Sequence, residues 1–138
     1  MTEAIDWIEL RNENFYCLPA ECWLDPAKPA KRAIISHAHG DHFPRFGGTV
    51  WGAPETIEIG IARHGKTAAR ALHKTDFEKP TNIGDVQVEL LHAGHILGSS
   101  QISLTYQGQH VLFSGDFSLM PNPTCPPLSY PQKPVDLL

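Results

Sequence analysis

Apolar residues in this chain fall in short runs separated by glycine, proline and charged clusters. Such spacing suits strands, whose side chains alternate between faces, better than long helices with an apolar stripe recurring every ~3.6 residues. Asn14 to Leu18 and Cys22 to Asp25 read as a hairpin around Pro19-Ala20-Glu21. The proline-broken connection Pro26 to Arg32 leads into a buried strand, Ala33 to Ser36, and Thr49-Val50-Trp51 is another short strand. Ala69 to His73 is a weaker strand, followed by the polar Lys74 to Pro80 and a turn at Ile83-Gly84-Asp85. Val86 to Leu91 alternates apolar and polar residues, as a half-buried strand should. Gln101 to Tyr106 and His110 to Ser114 pair around Gln107-Gly108-Gln109.

One segment has helical signals. Ala53 to Arg63 carries Pro54 in its first turn, Glu55 where the helix dipole favours an acid, and Gly65 as a C-terminal stop. Ile57, Ile61 and Ala62 are expected on one face of it. Met120 to Pro134 contains six prolines and no regular period, which predicts a loop or an extended tail.

With 138 residues, 41% of them hydrophobic, the chain suits one domain with a modest core. A formal charge of -4 and a pI near 6.0 give no overall basic signature, so a nucleic-acid partner would need a local patch. Lys28, Lys31 and Arg32 form a small basic cluster that could contact phosphate, although a solvated face is its default reading. Nothing approaches the roughly eighteen apolar residues that a membrane helix needs, and a soluble, cytoplasmic protein is expected. Cys17, Cys22 and Cys125 form no C-x-x-C pair, so reduced thiols are expected in place of a disulfide framework or a zinc knuckle.

The chemistry concentrates in Ser36-His37-Ala38-His39-Gly40-Asp41-His42, directly after the apolar Ala33, Ile34 and Ile35. In an extended segment His37 and His39 point to the same side and can reach one ion. Gly40 carries Asp41 and His42 around a turn towards a second ion. Imidazole and carboxylate without thiolate suit zinc, manganese or iron. Two further strand ends carry candidate ligands: His95 within His92-Ala93-Gly94-His95-Ile96-Leu97-Gly98-Ser99-Ser100, and Asp116 within Phe113-Ser114-Gly115-Asp116-Phe117. A carboxylate such as Asp116 offers two oxygens and can bridge two cations. Gly94 and Gly98 bracket a ligand turn and do not form a phosphate loop, because no Lys-Ser/Thr follows. His92 reads as structural or as a support behind a ligand, and His64, His73 and His110 as solvent-facing.

In this order, H-x-H-x-D-H, Gly-His and Ser-Gly-Asp resemble the metallo-β-lactamase superfamily of dinuclear hydrolases. Ala93 to Ser99 and Ser114 to Ser118 look like its β-CASP nuclease branch. Phe15-Tyr16-Cys17, Trp23-Leu24-Asp25-Pro26 and Asn122-Pro123-Thr124-Cys125 are similar to the bacterial ligase-associated DNA exonucleases, also described as RNA 3'-end processing exonucleases. The resemblance implies an α/β (α+β) fold, a metallo-β-lactamase-like αββα sandwich of two mixed sheets flanked by helices. Residues 1–138 would form its N-terminal half, without the β-CASP insertion or the C-terminal half, and with Leu138 inside a strand.

The resemblance also implies roles. His37, His39 and His95 would hold a first divalent ion, Asp41 and His42 a second, and Asp116 would bridge them. Asp25, at the strand end before the H-x-H motif, would orient a ligand or its loop. The ions, zinc or alternatively manganese, would lower the pKa of a bound water, and the resulting hydroxide would attack a phosphodiester of DNA or RNA. Asp41 and Asp116 would act as catalytic residues through that water. The second site would lack its last histidine, and self-association into a homo-oligomer would cover the exposed half of the core. The rival expectations are a non-catalytic domain that binds metal or a partner, and a hydrolase of the same superfamily acting on a thioester or lactam.

Overall fold

The computed structural model describes residues 3–43, 48–65 and 71–138. Its organisation follows from one short strand, β4 (Arg32–Ile34), which is buried on both sides. Ala33 and Ile35 pack with Val50, Phe43 and Ile57 on one face, while Ile34 faces a second core on the other. A strand with apolar layers on both faces belongs inside a layered α/β structure.

The chain builds two sheets. The first has six strands in the order β1 (Ile8–Arg11), β2 (Asn14–Cys17), β3 (Cys22–Leu24), β4, β5 (Thr49–Gly52) and β6 (Ala71–Lys74). Its first three strands pair antiparallel, and β3, β4, β5 and β6 pair parallel. The second sheet has the order β10 (Gln109–Phe113), β9 (Ser100–Tyr106), β8 (Val86–His92), β7 (Thr81–Ile83). All its pairs are antiparallel. Two mixed sheets were expected; the strands of the second pair with one another only antiparallel, and parallel pairing reaches it as the isolated bridges of Phe77 to Leu90 and of Leu137 to Val111.

Trp7, just before β1, and Cys22, Leu24 and Ile34 from the first sheet meet Val86, Val88, Leu90, Ile102, Leu104 and Val111 from the second to form the main core. In β8 the alternation is direct: Val86, Val88 and Leu90 are buried, while Gln87 is exposed. The outer face of the first sheet is covered by α1 (Pro54–His64), the one helix among the described residues. Its buried residues are Thr56, Ile57 and Gly60. Ile61 is half-buried and Ala62 exposed, so the expected Ile57, Ile61, Ala62 face is rotated towards Gly60. Gly60 allows this close approach, since a Cβ there would lie 2.6 Å from the Phe43 ring.

Two strands carry weak sequence signals. β1 joins β2 through Asn12-Glu13, both at positive φ, a two-residue hairpin turn without the glycine that usually marks one. β7 is a short edge strand beside β8. The turn between β9 and β10 is Gln107-Gly108 alone, with Gln109 inside β10. The weak strand expected over Ala69 to His73 corresponds to β6, its residues 69 and 70 lying outside the described part. Leu137 makes an isolated parallel bridge to Val111, and Leu138 lies in no strand.

His110 is not solvent-facing. It is 6% exposed, and its Nδ1–H donates to the Pro134 carbonyl at 2.9 Å while Ser103 Oγ lies 2.6 Å from Nε2. With the backbone N–H of His110 also donating to Asp136, the proline-rich tail is tied to β10. Arg32 likewise departs from the expected solvated cluster: it donates to the Ala20 and Glu21 carbonyls and lies over Trp51, while Lys28 and Lys31 are exposed.

Candidate metal centre

The candidate ligands leave the ends of strands that belong to different sheets. The run from Ser36 to His42 follows β4 in the first sheet, whereas His95 follows β8 and Asp116 follows β10 in the second. Hydrogen bonds stitch the two ends together, with Ser100 N–H and Ser100 Oγ both donating to the Ser36 carbonyl at 2.7 and 3.0 Å. The turn after His39 closes on itself, since the N–H groups of His42 and Phe43 both donate to the His39 carbonyl.

His95 is held by its own loop. Gly94 and Gly98 have φ of 70° and 81°, and a Cβ on Gly94 would lie 2.8 Å from the Ser118 carbonyl oxygen. Ser99 Oγ accepts from the N–H groups of His95 and Ile96, and Asn122 Nδ2 donates to the His95 carbonyl at 2.8 Å. Thr56, at the start of α1, donates to the Gly98 carbonyl. The helix therefore anchors the loop that presents His95.

These elements bring His37, His39, His95 and Asp116 together, with one ligand atom from each lying within 4.8 Å of the others. The His37 ring is 4.9 Å from that of His39 and 5.0 Å from that of His95, centroid to centroid. A second group with the same 4.8 Å limit joins Asp25, His37 and His42. Asp116 Oδ2 stands between the groups, 3.4 Å from both His37 Nε2 and His42 Nε2. Asp41 belongs to neither group among the described residues; its side chain is 79% exposed, with Oδ2 3.3 Å from His42 Nε2.

Asp25 lies beneath the site with its side chain 3% exposed, at a φ of 44° that a non-glycine residue seldom adopts. Its carboxylate accepts from the Ser36 N–H at 2.6 Å, from the Ser36 hydroxyl and from His42 Nδ1 at 2.9 Å. Burial pushes the Asp25 carboxyl up, and these donors to it pull the other way. The hydrogen bond to Asp25 lifts the His42 imidazole above its ordinary value. Burial, reinforced by neighbouring His42, pushes His37 down to about 4, so it is a neutral imidazole at neutral pH.

His37 supplies the test of fit. It is 0% exposed, and its Nε2 has no hydrogen-bond partner. A buried polar nitrogen without a partner is costly unless something else satisfies it. Two further imidazoles and a carboxylate converging on that nitrogen suit a divalent cation such as zinc. The residues present therefore fit a metal centre. Ser36, Ser99, Ser100 and Asn122 were not singled out as site residues in the sequence, because serine and asparagine beside a ligand read as ordinary turn formers.

Comparison with known families decides the membership. Residues 23–136 match the family model described as the metallo-beta-lactamase superfamily. The chain belongs to the metallo-β-lactamase superfamily. Among solved structures, this superfamily chain resembles the metallo-beta-lactamase fold protein YhfI from Bacillus subtilis, with a TM-score of 0.56 and 17% identity over 75% of this chain and 53% of that one. At that identity the likeness shows the fold alone. A protein of Opitutus terrae named "Probable DNA ligase" is 34% identical over 112 residues, which are 79% of this chain and 11% of that protein. The chain thus spans only a part of each of these two relatives. Among the described residues no helix is long and apolar enough to cross a membrane.

Proposed function

We propose that this chain carries the metal-binding half of a phosphodiester hydrolase, an exonuclease of the β-CASP type acting on DNA or RNA. The observation that carries the hydrolase reading is the orphaned, buried Nε2 of His37 facing Asp116, His39 and His95. The nucleic-acid part rests on similarity to a protein named as a DNA ligase and on the resemblance of the Asp25, His95 and Asp116 motifs to nucleases.

In this reading His37, His39 and His95 hold one ion, His42 and Asp41 face a second, and Asp116 lies between. Divalent ions bound here, zinc or manganese, would activate water and neutralise charge gathering on a phosphate. The residues' own work is to fix geometry: Asp25 orients His42, Ser99 and Asn122 hold the His95 loop, and Gly115 lets the chain turn before Asp116 with a φ of 55°. Self-association is a further part of the proposal. It rests on an apolar slot of about 340 Å³ between the sheets, rimmed by the exposed Phe15, Leu137 and Leu138. A cytoplasmic location is proposed from the free Cys17, Cys22 and Cys125.

The test is metal content by elemental analysis after purification without chelator, followed by digestion of end-labelled single-stranded DNA and RNA. Bound metal with chelator-sensitive trimming from one end supports the proposal. Bound metal without cleavage of either nucleic acid favours a non-catalytic metal-binding domain or a thioester or lactam hydrolase. No bound metal rejects the proposal for this chain.

A further inference from the structure

A neutral histidine binds a metal through only one nitrogen, the one without the proton, so something must choose that nitrogen. For His37 the choice is visible in a chain of three groups. As a carboxylate, the form that suits the Ser36 N–H and His42 Nδ1 already pointing at it, Asp25 can only accept. Ser36 has one hydroxyl proton, and that proton is directed at Asp25 Oδ2. Towards His37 the Ser36 oxygen has only lone pairs to offer, yet it lies 2.9 Å from His37 Nδ1. Nδ1 must therefore carry the ring proton and donate it, which leaves Nε2 as the lone pair facing His39, His95 and Asp116.

We infer that Ser36 is the positioning residue that sets the tautomer of His37 and aims its Nε2 lone pair into the site. This rests on the metal-binding part of the proposed function and is independent of the substrate. The reverse arrangement fails on its donors: a Ser36 proton turned to His37 would leave two acceptor oxygens, Ser36 Oγ and Asp25 Oδ2, facing each other at hydrogen-bond distance.

The surroundings hold Ser36 in this posture. Its N–H donates to Asp25 Oδ1 at 2.6 Å, and its carbonyl accepts two bonds from Ser100. Gly115 leaves room for the hydroxyl, since a Cβ there would stand 2.8 Å from Ser36 Oγ and 3.0 Å from Ser36 Cβ. Asp25 thus directs two ligands at once, His42 by a direct bond and His37 through Ser36. Ring-orienting partners of this kind alter metal affinity by about 10- to 100-fold.

The experiment uses metal-free protein with ¹⁵N-labelled histidine and long-range ¹H–¹⁵N correlation spectra, alongside zinc affinity by competition with a chromophoric chelator. Wild-type protein is expected to show His37 protonated on Nδ1 alone. Ser36→Ala should lose that single tautomer and weaken zinc binding about 10- to 100-fold, while Ser36→Thr should keep both properties. A wild-type spectrum with the His37 proton on Nε2 overturns the inference, even if Ser36→Ala does not fold. So does a folded Ser36→Ala whose spectrum and zinc affinity match the wild type. A purely structural role for Ser36 would lower stability without moving the tautomer. A wild type that takes up no zinc yet shows the Nδ1 tautomer would sink the metal reading and leave the relay standing.

Discussion

Cys17 and Cys22 sit opposite each other as register partners across β2 and β3, fully buried and not joined in a disulfide. Burial pushes Cys17 up to about 11 and Cys22 to about 12. Neither thiol should react with a disulfide reagent at pH 8 in the native protein, whereas the half-exposed Cys125 should react. Three equivalents in the native protein would show the pair to be accessible.

The same shifts have a sign for stability. An acid whose folded pKa is raised stabilises fully below its unfolded value, here 9.0, and loses that contribution as pH climbs towards 11 or 12. Urea midpoints should therefore fall steadily above pH 9, and replacing both cysteines by alanine should flatten that fall. An unchanged pH slope in the double variant would assign the loss to other groups.

Asp116→Ala removes an exposed carboxylate at the centre of the candidate ligand set, its side chain 49% exposed. Metal uptake by elemental analysis should drop by about one equivalent or more, while the stability of the metal-free protein changes by no more than about 0.5 kcal/mol. Full metal content in this variant would remove Asp116 from the ligand set.

Gly60→Ala tests the contact behind the metal turn. A helix interior prefers alanine by up to about 1 kcal/mol. Here the added Cβ would meet the buried Phe43 ring at 2.6 to 2.7 Å, where overpacking costs about 1 to 3 kcal/mol. Net destabilisation in urea is expected. Because Phe43 follows His42 directly, zinc affinity should fall with it; a Gly60→Ala variant more stable than the wild type would show that the ring can move aside.

How much of this was legible beforehand varies with range. His37, His39, His95 and Asp116 sit in local motifs, and their meeting follows from strand ends that the sequence marks with glycine. β1 escaped notice because Ile8-Glu9-Leu10-Arg11 is short and half charged, and because Asn12-Glu13 makes a turn that normally advertises itself with glycine. The antiparallel pairing of β7 to β10 and the parallel half of the first sheet are matters of pairing, which no single segment encodes. His110 looked like a surface histidine because its partners, Ser103 and the Pro134 carbonyl, come from a neighbouring strand and from the tail.

His110→Ala should release that tail. Losing the buried bonds to Ser103 and Pro134 is expected to cost about 1 to 3 kcal/mol and to open residues 126–136 to limited proteolysis. An unchanged digestion pattern would mean that the backbone bonds from Asp136 and Leu137 to His110 hold the tail unaided.

The candidate ligand set is divided between sheets, His37, His39 and His42 following a strand of one and His95 and Asp116 following strands of the other. An ion gripping both would act as a rivet through the sandwich. Its escape would then be timed by how often the layers part, so amide exchange at the core of β8 and β9 should slow on metal loading, and a mutation far from any ligand that loosens the layers should shorten the ion's residence.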